Sequence, residues 1–457
     1  MSTTITETRF ATANPTAPTQ QPVTLKRSLS TPALVIFGLS YMVPLTVFST
    51  YGIVTDATQG HLPMAYLITT LAMLATTLTY ASLAKALPIS GSAYVFTRKA
   101  FGPHVGFLSG WSLLSDYLLL PVINYLLIGI YLNAQFPALP AWGITLAMII
   151  IVTTLNILGV HVVKTANLAL IALQTVFIAV FIALCIANFA PGVEPIQPFI
   201  SADMSWAGIL SGASILALSF LGFDAVSTLS EEANDPKRTV PRAIVLTTVI
   251  GGLTFTVLSW FGHMVFPDWQ SFTNLDTASM DVMTRVGGKF LEIFFLSAYI
   301  SGAFSSAIAS QASVARLLYS MGRDHILPNR IVGGVNARFR TPVGALLVTA
   351  VFGLLALVLD LDAIASIISF GALAAFSLVN LAAIKHFVLD EGRRDPLSLI
   401  RHLVLPVIGF CLTLWLWTSL SGVSLTVGGV WVAIGLIYLA IITKGFSKRP
   451  PAVHFDD

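Results

Sequence analysis

Charge is what this sequence has least of. Of its 457 residues only 10% are Asp, Glu, Lys or Arg, against roughly a quarter in an ordinary soluble chain. A water-soluble surface cannot be built from so few charges, so the chain must meet lipid. Cysteine is nearly as scarce: Cys185 and Cys411 both sit in apolar runs, which excludes a disulfide framework or a cysteine-based metal site. Enzyme signatures are missing as well, with no G-x-S-x-G, no H-E-x-x-H and no phosphate-binding loop. The eight histidines are scattered, and His61, His104, His161, His263 and His325 fall near the ends of apolar stretches, where a hydrated imidazole is ordinary. Nothing here points to catalysis, a cofactor, a metal ion or a nucleic-acid partner.

What is present is hydrophobic sequence, 56% of the chain. A helix needs about 20 mainly apolar residues to cross the hydrocarbon core of a bilayer. Twelve such stretches can be read, at 33–57, 62–87, 105–131, 142–160, 165–189, 206–228, 240–266, 289–317, 342–360, 363–386, 403–420 and 424–443. Residues 1–30, Thr/Pro/Ala-rich at the start and without an apolar core segment, read as a disordered tail rather than a signal peptide, and 446–457 as a second tail.

Sorting the basic residues by this map tests it. Twenty-two of the 24 fall on one side, leaving Arg285 and Lys289 opposite, so the positive-inside rule puts both termini in the cytoplasm of a bacterial-type inner membrane. Asp56, Glu194, Asp203, Asp268, Asp276, Asp281, Asp360 and Asp362 lie in or near the other loops. They read either as solvated loop charges or as a negative vestibule that concentrates cations.

Two stretches are interrupted. GLSYMVPLTVFSTYGI (38–53) has Pro44 at its centre, and ILALSFLGFDAVSTLSEE (215–232) has Gly222 beside Asp224. Proline kinks or breaks a helix by removing a hydrogen bond. Interruptions at corresponding positions five spans apart point to a transporter of inverted repeats with its site at the breaks, although proline kinks and glycine packing positions are also common in membrane helices. Asp116, mid-span in the third stretch, and Asp224 are carboxylates placed where a charge costs several kcal/mol unless paired or hydrated, so both are functional candidates. Tyr117, Pro121 and Asn124 follow Asp116 on one helical face.

The segments LAKALPISGSAYVFTRKAFGPHVGFLSGW (83–111), FLGFDAVSTLSEEANDPKRTVPRAI (220–244) and ARLLYSMGRDHILPNRIVGGVNARFRTPVGA (315–345) resemble, in that order, the amino acid–polyamine–organocation transporters. Within that superfamily the first, third and sixth stretches look most like bacterial putrescine importers. The resemblance implies an all-α integral membrane fold of 12 helices: inverted repeats of five over 31–190 and 204–388, discontinuous first and sixth helices, and two peripheral helices over 400–445. It also implies alternating access, proton-coupled symport, and substrate-lining roles for Asp116, Tyr117, Pro121 and Asn124, with Asp224 linking substrate to gating.

Two carboxylates facing one cavity suit a diamine, with Tyr41, Tyr117 or Phe220 offering cation–π contact. Amino acid carriers of this family hold the substrate carboxylate on free amides at the first break. Here the stretch is YMVPLT, and Pro44 has no N–H. A substrate lacking a carboxylate is therefore favoured, with a neutral or cationic amino acid as the alternative and a non-transporting amine sensor as a remote third. Asp116 can also be read as structural glue or a proton relay. Glu231 and Glu232 read as an ion-paired helix end or an inner gate. Some proton-coupled relatives carry a lysine in the fifth helix where this sequence has Gln174, and Ser305 and Ser306 could contribute oxygens to sodium, so protons are favoured on the resemblance with sodium left open.

Overall fold

The computed structural model describes residues 29–88, 92–158, 163–323, 327–336, 338–339, 341–448 and 450. Residues 1–28 and 451–457 of the two expected tails lie outside them, as do the side chains of Glu231 and Glu232. Every regular element among the described residues is a helix, and one isolated bridge, Leu29 to Ala233, is their extended pairing.

The chain runs through α1 (Thr31–Met42), α2 (Tyr51–Ala57), α3 (Leu62–Ala86), α4 (Ser92–Phe101), α5 (Pro103–Gln135), α6 (Ala141–Leu158), α7 (Val163–Ala187) and α8 (Trp206–Leu216). It continues through α9 (Pro236–Val265), α10 (Ala278–Arg323), α11 (Asn329–Val332), α12 (Val343–Gly353), α13 (Leu361–Ala383), α14 (Pro396–Leu399), α15 (Leu405–Thr418) and α16 (Gly422–Ile442). Prolines open several of these, where a missing N–H costs nothing. Inside α10 the pair Gly287 and Gly288 leaves helical geometry, so the long stretch is really two helices meeting at 287–288. The sequence expectation of a span starting at residue 289 marks the same point.

Ten helical stretches among the described residues are long and apolar enough to cross a membrane, and two shorter apolar helices, Ala172–Ala187 and Val343–Leu357, fall at the expected fifth and ninth positions. With no water in a bilayer core, backbone polar groups must be satisfied within the helices, which is why an apolar chain of this kind takes this form. Large apolar side chains such as Leu71, Leu253, Val351 and Ile437 are exposed on the outside, as a lipid-facing surface requires.

Lipid is as apolar as leucine, so these helices are held by close packing and by polar contacts between them. α3 packs along α9, and α5 lies against α13 and α10. Thr77 meets Thr248 at 2.9 Å, Asn380 donates to Thr76 at 2.9 Å, and Gln311 donates to Thr153 at 2.8 Å. α5, which carries Asp116, is buried along most of its length, whereas α16 is largely exposed. These two are joined by a reciprocal clasp: Trp111 Nε1 donates to the Trp431 carbonyl and Trp431 Nε1 to the Trp111 carbonyl, each at 2.9 Å, with the indoles stacked 5.0 Å apart.

Candidate functional site

Pro44 dictates the first break. It has no N–H, and its ring disfavours helical geometry in the residue before it. α1 accordingly stops at Met42, and Val43 takes φ 52° and ψ 99°, unusual for a β-branched residue. The Val43 N–H still reaches the Leu39 carbonyl at 3.1 Å, and Thr46 Oγ1 donates to the Met42 carbonyl at 2.8 Å, so groups released by the break find partners. The chain continues as one tight 3₁₀ segment, Pro44–Phe48, before α2.

The second break begins after the 3₁₀ turn Ala217–Phe220 that ends α8. Leu221 is extended and Gly222 has φ 131°, a conformation open to glycine and strained for other residues. A Cβ on Gly222 would lie 2.9 Å from the Gly38 carbonyl oxygen, 3.1 Å from Met42 N and 3.1 Å from Tyr41 Cβ. The two broken helices therefore touch at their breaks.

Both candidate acids are buried here, each 2% exposed. Asp224 Oδ1 accepts the Gly222 N–H at 3.2 Å, and the Ser227 hydroxyl donates to the Asp224 carbonyl at 2.6 Å. Asp116 differs: its Oδ1 is buried without a hydrogen-bond partner among the described residues. Such a group costs about 1–3 kcal/mol, more if charged, until something bonds it. Tyr41 lies within electrostatic range of Tyr117, Asp116 and Asp224, and Asp116 within range of Asp224. A cation bound among them would meet two carboxylates and two phenol rings.

Tyr41 also lines two small cavities. One, of about 110 Å³, is bounded by Phe37, Ser40, Tyr41, Gln174, Ser305, Ser306 and neighbours. The other, of about 40 Å³, is bounded by Tyr41, Thr46, Ser49, Asn124, Tyr299, Ser306 and neighbours. Asn124 Nδ2 donates to Ser306 Oγ at 3.1 Å, tying α5 to α10 across the site. Gln174 is 4% exposed with Oε1 unpartnered, so the residues read as coupling candidates, Gln174, Ser305 and Ser306, share a cavity with Tyr41.

Not every candidate gathers there. Phe220 is fully buried against Phe255, ring centroids 5.5 Å apart, and like Asp116, Tyr117 and Asp224 is absent from the walls of both cavities, so of the three aromatic candidates Tyr41 alone lines them. Pro121 is buried within a continuous α5, and Pro44 acts by ending α1. Sequence reading passed over Thr46, Ser49 and Tyr299, the last two joined at 2.7 Å. It also passed over an aromatic cluster toward the end of α5: Phe48 meets Phe181 and Phe295 at 5.4 Å each, and the Tyr131 hydroxyl donates to the Phe48 carbonyl at 2.8 Å. Among 29 phenylalanines no local pattern marks these as a set.

The family model described as amino acid permease matches residues 29–446. The low-affinity putrescine importer PlaP of Escherichia coli (strain K12) is 38% identical over 96% of this chain and 98% of its own. The branched-chain amino acid permease BcaP of Bacillus subtilis (strain 168) is 27% identical over 93% and 94%. The BcaP of Lactococcus lactis subsp. cremoris is 26% identical over 90% and 94%.

Proposed function

We propose that this chain, which belongs to the amino acid permease family, imports a small cationic amine, putrescine foremost, across the inner membrane by proton-coupled alternating access. The observation that carries this reading is the buried, unpartnered Oδ1 of Asp116 in a cluster with Asp224, Tyr41 and Tyr117. A substrate ammonium supplies what that oxygen lacks, and a second carboxylate within electrostatic range suits a second ammonium. The first break supports the same choice. The Val43 and Thr46 amides there are spent on Leu39 and on the turn itself and Pro44 has none, so few remain to hold a substrate carboxylate.

In this reading 31–190 and 204–388 are inverted repeats of five helices, the two shorter apolar helices count as spans, and 400–445 supplies two peripheral helices. Both termini are cytoplasmic. Protons enter by way of Asp116 or Asp224, since Gln174 cannot titrate. Sodium at Ser305 and Ser306 is the competing coupling. A branched-chain amino acid permease is itself among the similar proteins, so an amino acid substrate is the second reading.

Proteoliposomes separate these. Labelled putrescine is expected to accumulate under an imposed pH gradient, acid outside, and cadaverine to compete better than lysine or ornithine. Accumulation driven by sodium alone would replace the coupling, and block by lysine or ornithine as strong as that by cadaverine would replace the substrate. Absence of labelled-amine counterflow would leave a sensor rather than a carrier.

Asp116→Asn gives a sharper test. Losing one charged hydrogen bond costs about 1.5–3 kcal/mol, so putrescine affinity is expected to fall roughly 10- to 150-fold. A monoamine held chiefly by Asp224 should lose less. Equal losses for the two would show that Asp116 does not read the second ammonium.

A further inference from the structure

A larger cavity, about 330 Å³, lies apart from the breaks, and its walls include Lys85, Lys237, Arg393, Arg401, His402 and Phe387. Lys85 ends α3, Lys237 opens α9, Arg393 follows the π-helical extension of α13 (Ile384–Asp390), and Arg401 and His402 lie in the π-helical turn Ile400–Val404 that leads into α15. Three loops that charge sorting puts on one side of the membrane thus meet at one place. No carboxylate is among the described lining residues.

Among the described side chains, nearby acids leave much of this charge without an ion pair. Glu391 pairs with Arg393 at 2.7 Å, but Asp390 is held by Lys385 at 2.6 Å, Asp395 accepts the Ser398 N–H at 3.0 Å, and Asp235 faces Arg238 at 3.7 Å. Lys85, Lys237 and Arg401 have no ion pair among the described residues. Like charges gathered around one opening repel, and an anion relieves all three at once. The floor is built rather than loose. Phe387 is 2% exposed, the Arg393 guanidinium stands 5.0 Å over its ring, and the His402 ring lies 4.1 Å from it. His402 is 6% exposed and its Nδ1 has no partner.

The connection that carries Arg393 and Arg401 also exposes Leu389, Leu397 and Ile400, the middle one 76% exposed. We propose that the cavity binds a phosphate-bearing anion, with the phosphodiester headgroup of an anionic lipid favoured over a soluble phosphate because apolar side chains flank the cations. Basic pockets between membrane helices suit such headgroups. The bound anion would pin α3, α9 and the α13–α15 connection together.

The test is thermal unfolding of the full chain in neutral detergent at constant ionic strength, with phosphatidylglycerol, phosphatidylcholine or inorganic phosphate added. Phosphatidylglycerol is expected to raise Tm by about 3 °C or more in the wild type and in the control Arg394→Gln, with phosphatidylcholine giving no rise. The triple variant Lys85→Gln, Lys237→Gln, Arg401→Gln should lose that shift. A shift from inorganic phosphate alone, lost in the same variant, would keep the anion site and reassign its source. An undiminished shift in the triple variant, or no shift from either anion in the wild type, overturns the proposal. Should the triple variant fail to fold, native mass spectrometry of Arg401→Gln decides it: fewer retained phosphatidylglycerol molecules than wild type supports the site, and an equal number rejects it. Because these readouts are of binding, they stand whether or not putrescine is the substrate.

Discussion

Asp224→Asn is expected to abolish amine uptake, lowering the initial rate at least about 100-fold, while the protein still inserts and melts near the wild-type temperature. Asp224 Oδ1 accepts the Gly222 N–H at 3.2 Å in a fully packed environment. An amide oxygen can keep that bond, so the break survives the substitution. What disappears is the negative charge, and a desolvated ion pair with one partner removed loses 2–5 kcal/mol. Asp224 is also two residues beyond the glycine at which the two broken helices touch, so in the proposed mechanism charge lost there removes both a substrate contact and a means for substrate to bias the breaks. Uptake within a few-fold of wild type, with normal expression, would take Asp224 out of the mechanism.

Gly222→Ala should be nearly as severe by a different route. At φ 131° an alanine is strained, at a cost of about 1–3 kcal/mol, and its Cβ would press on the Gly38 carbonyl and the Met42 amide, backbone atoms with little room to yield. The expected result is a Tm lowered by several degrees and uptake reduced more than about tenfold. Gly429→Ala on the exposed α16, where a new Cβ meets nothing within 4 Å, is the matched control and should be neutral. Wild-type melting and uptake for Gly222→Ala would mean that the contact between the breaks is incidental.

How far the sequence anticipated this arrangement depends on how local each signal is. Apolar stretches of about 20 residues act through their immediate neighbours, so the helices were readable, and the span expected from residue 289 starts where α10 divides, although the glycine pair that divides it was not singled out. The breaks were readable for the same reason, because Pro44 and Gly222 act on the backbone beside them. Asp116 and Asp224 stood out because a buried acid in an apolar run is costly wherever the run packs. Readings that depended on side-chain direction fared less evenly. Phe220 and Tyr41 each lie beside a break, yet only Tyr41 turns toward the cavities, a difference set by Phe255 across from Phe220 and invisible in the order of residues. Ser49 and Tyr299 meet across 250 positions, and no pattern in either segment foretells it.

The Trp111–Trp431 clasp decides which parts can be a frame of reference for one another. Two indole N–H donors spent reciprocally on two main-chain carbonyls lock α16 to α5 as an outrigger to a hull, and parting them in lipid would strand both donors with nothing to bond. In the proposed alternating-access cycle α16 is therefore expected to move with the helix that carries Asp116, so a fluorophore fixed on that lipid-facing helix would follow the acid from outside the site.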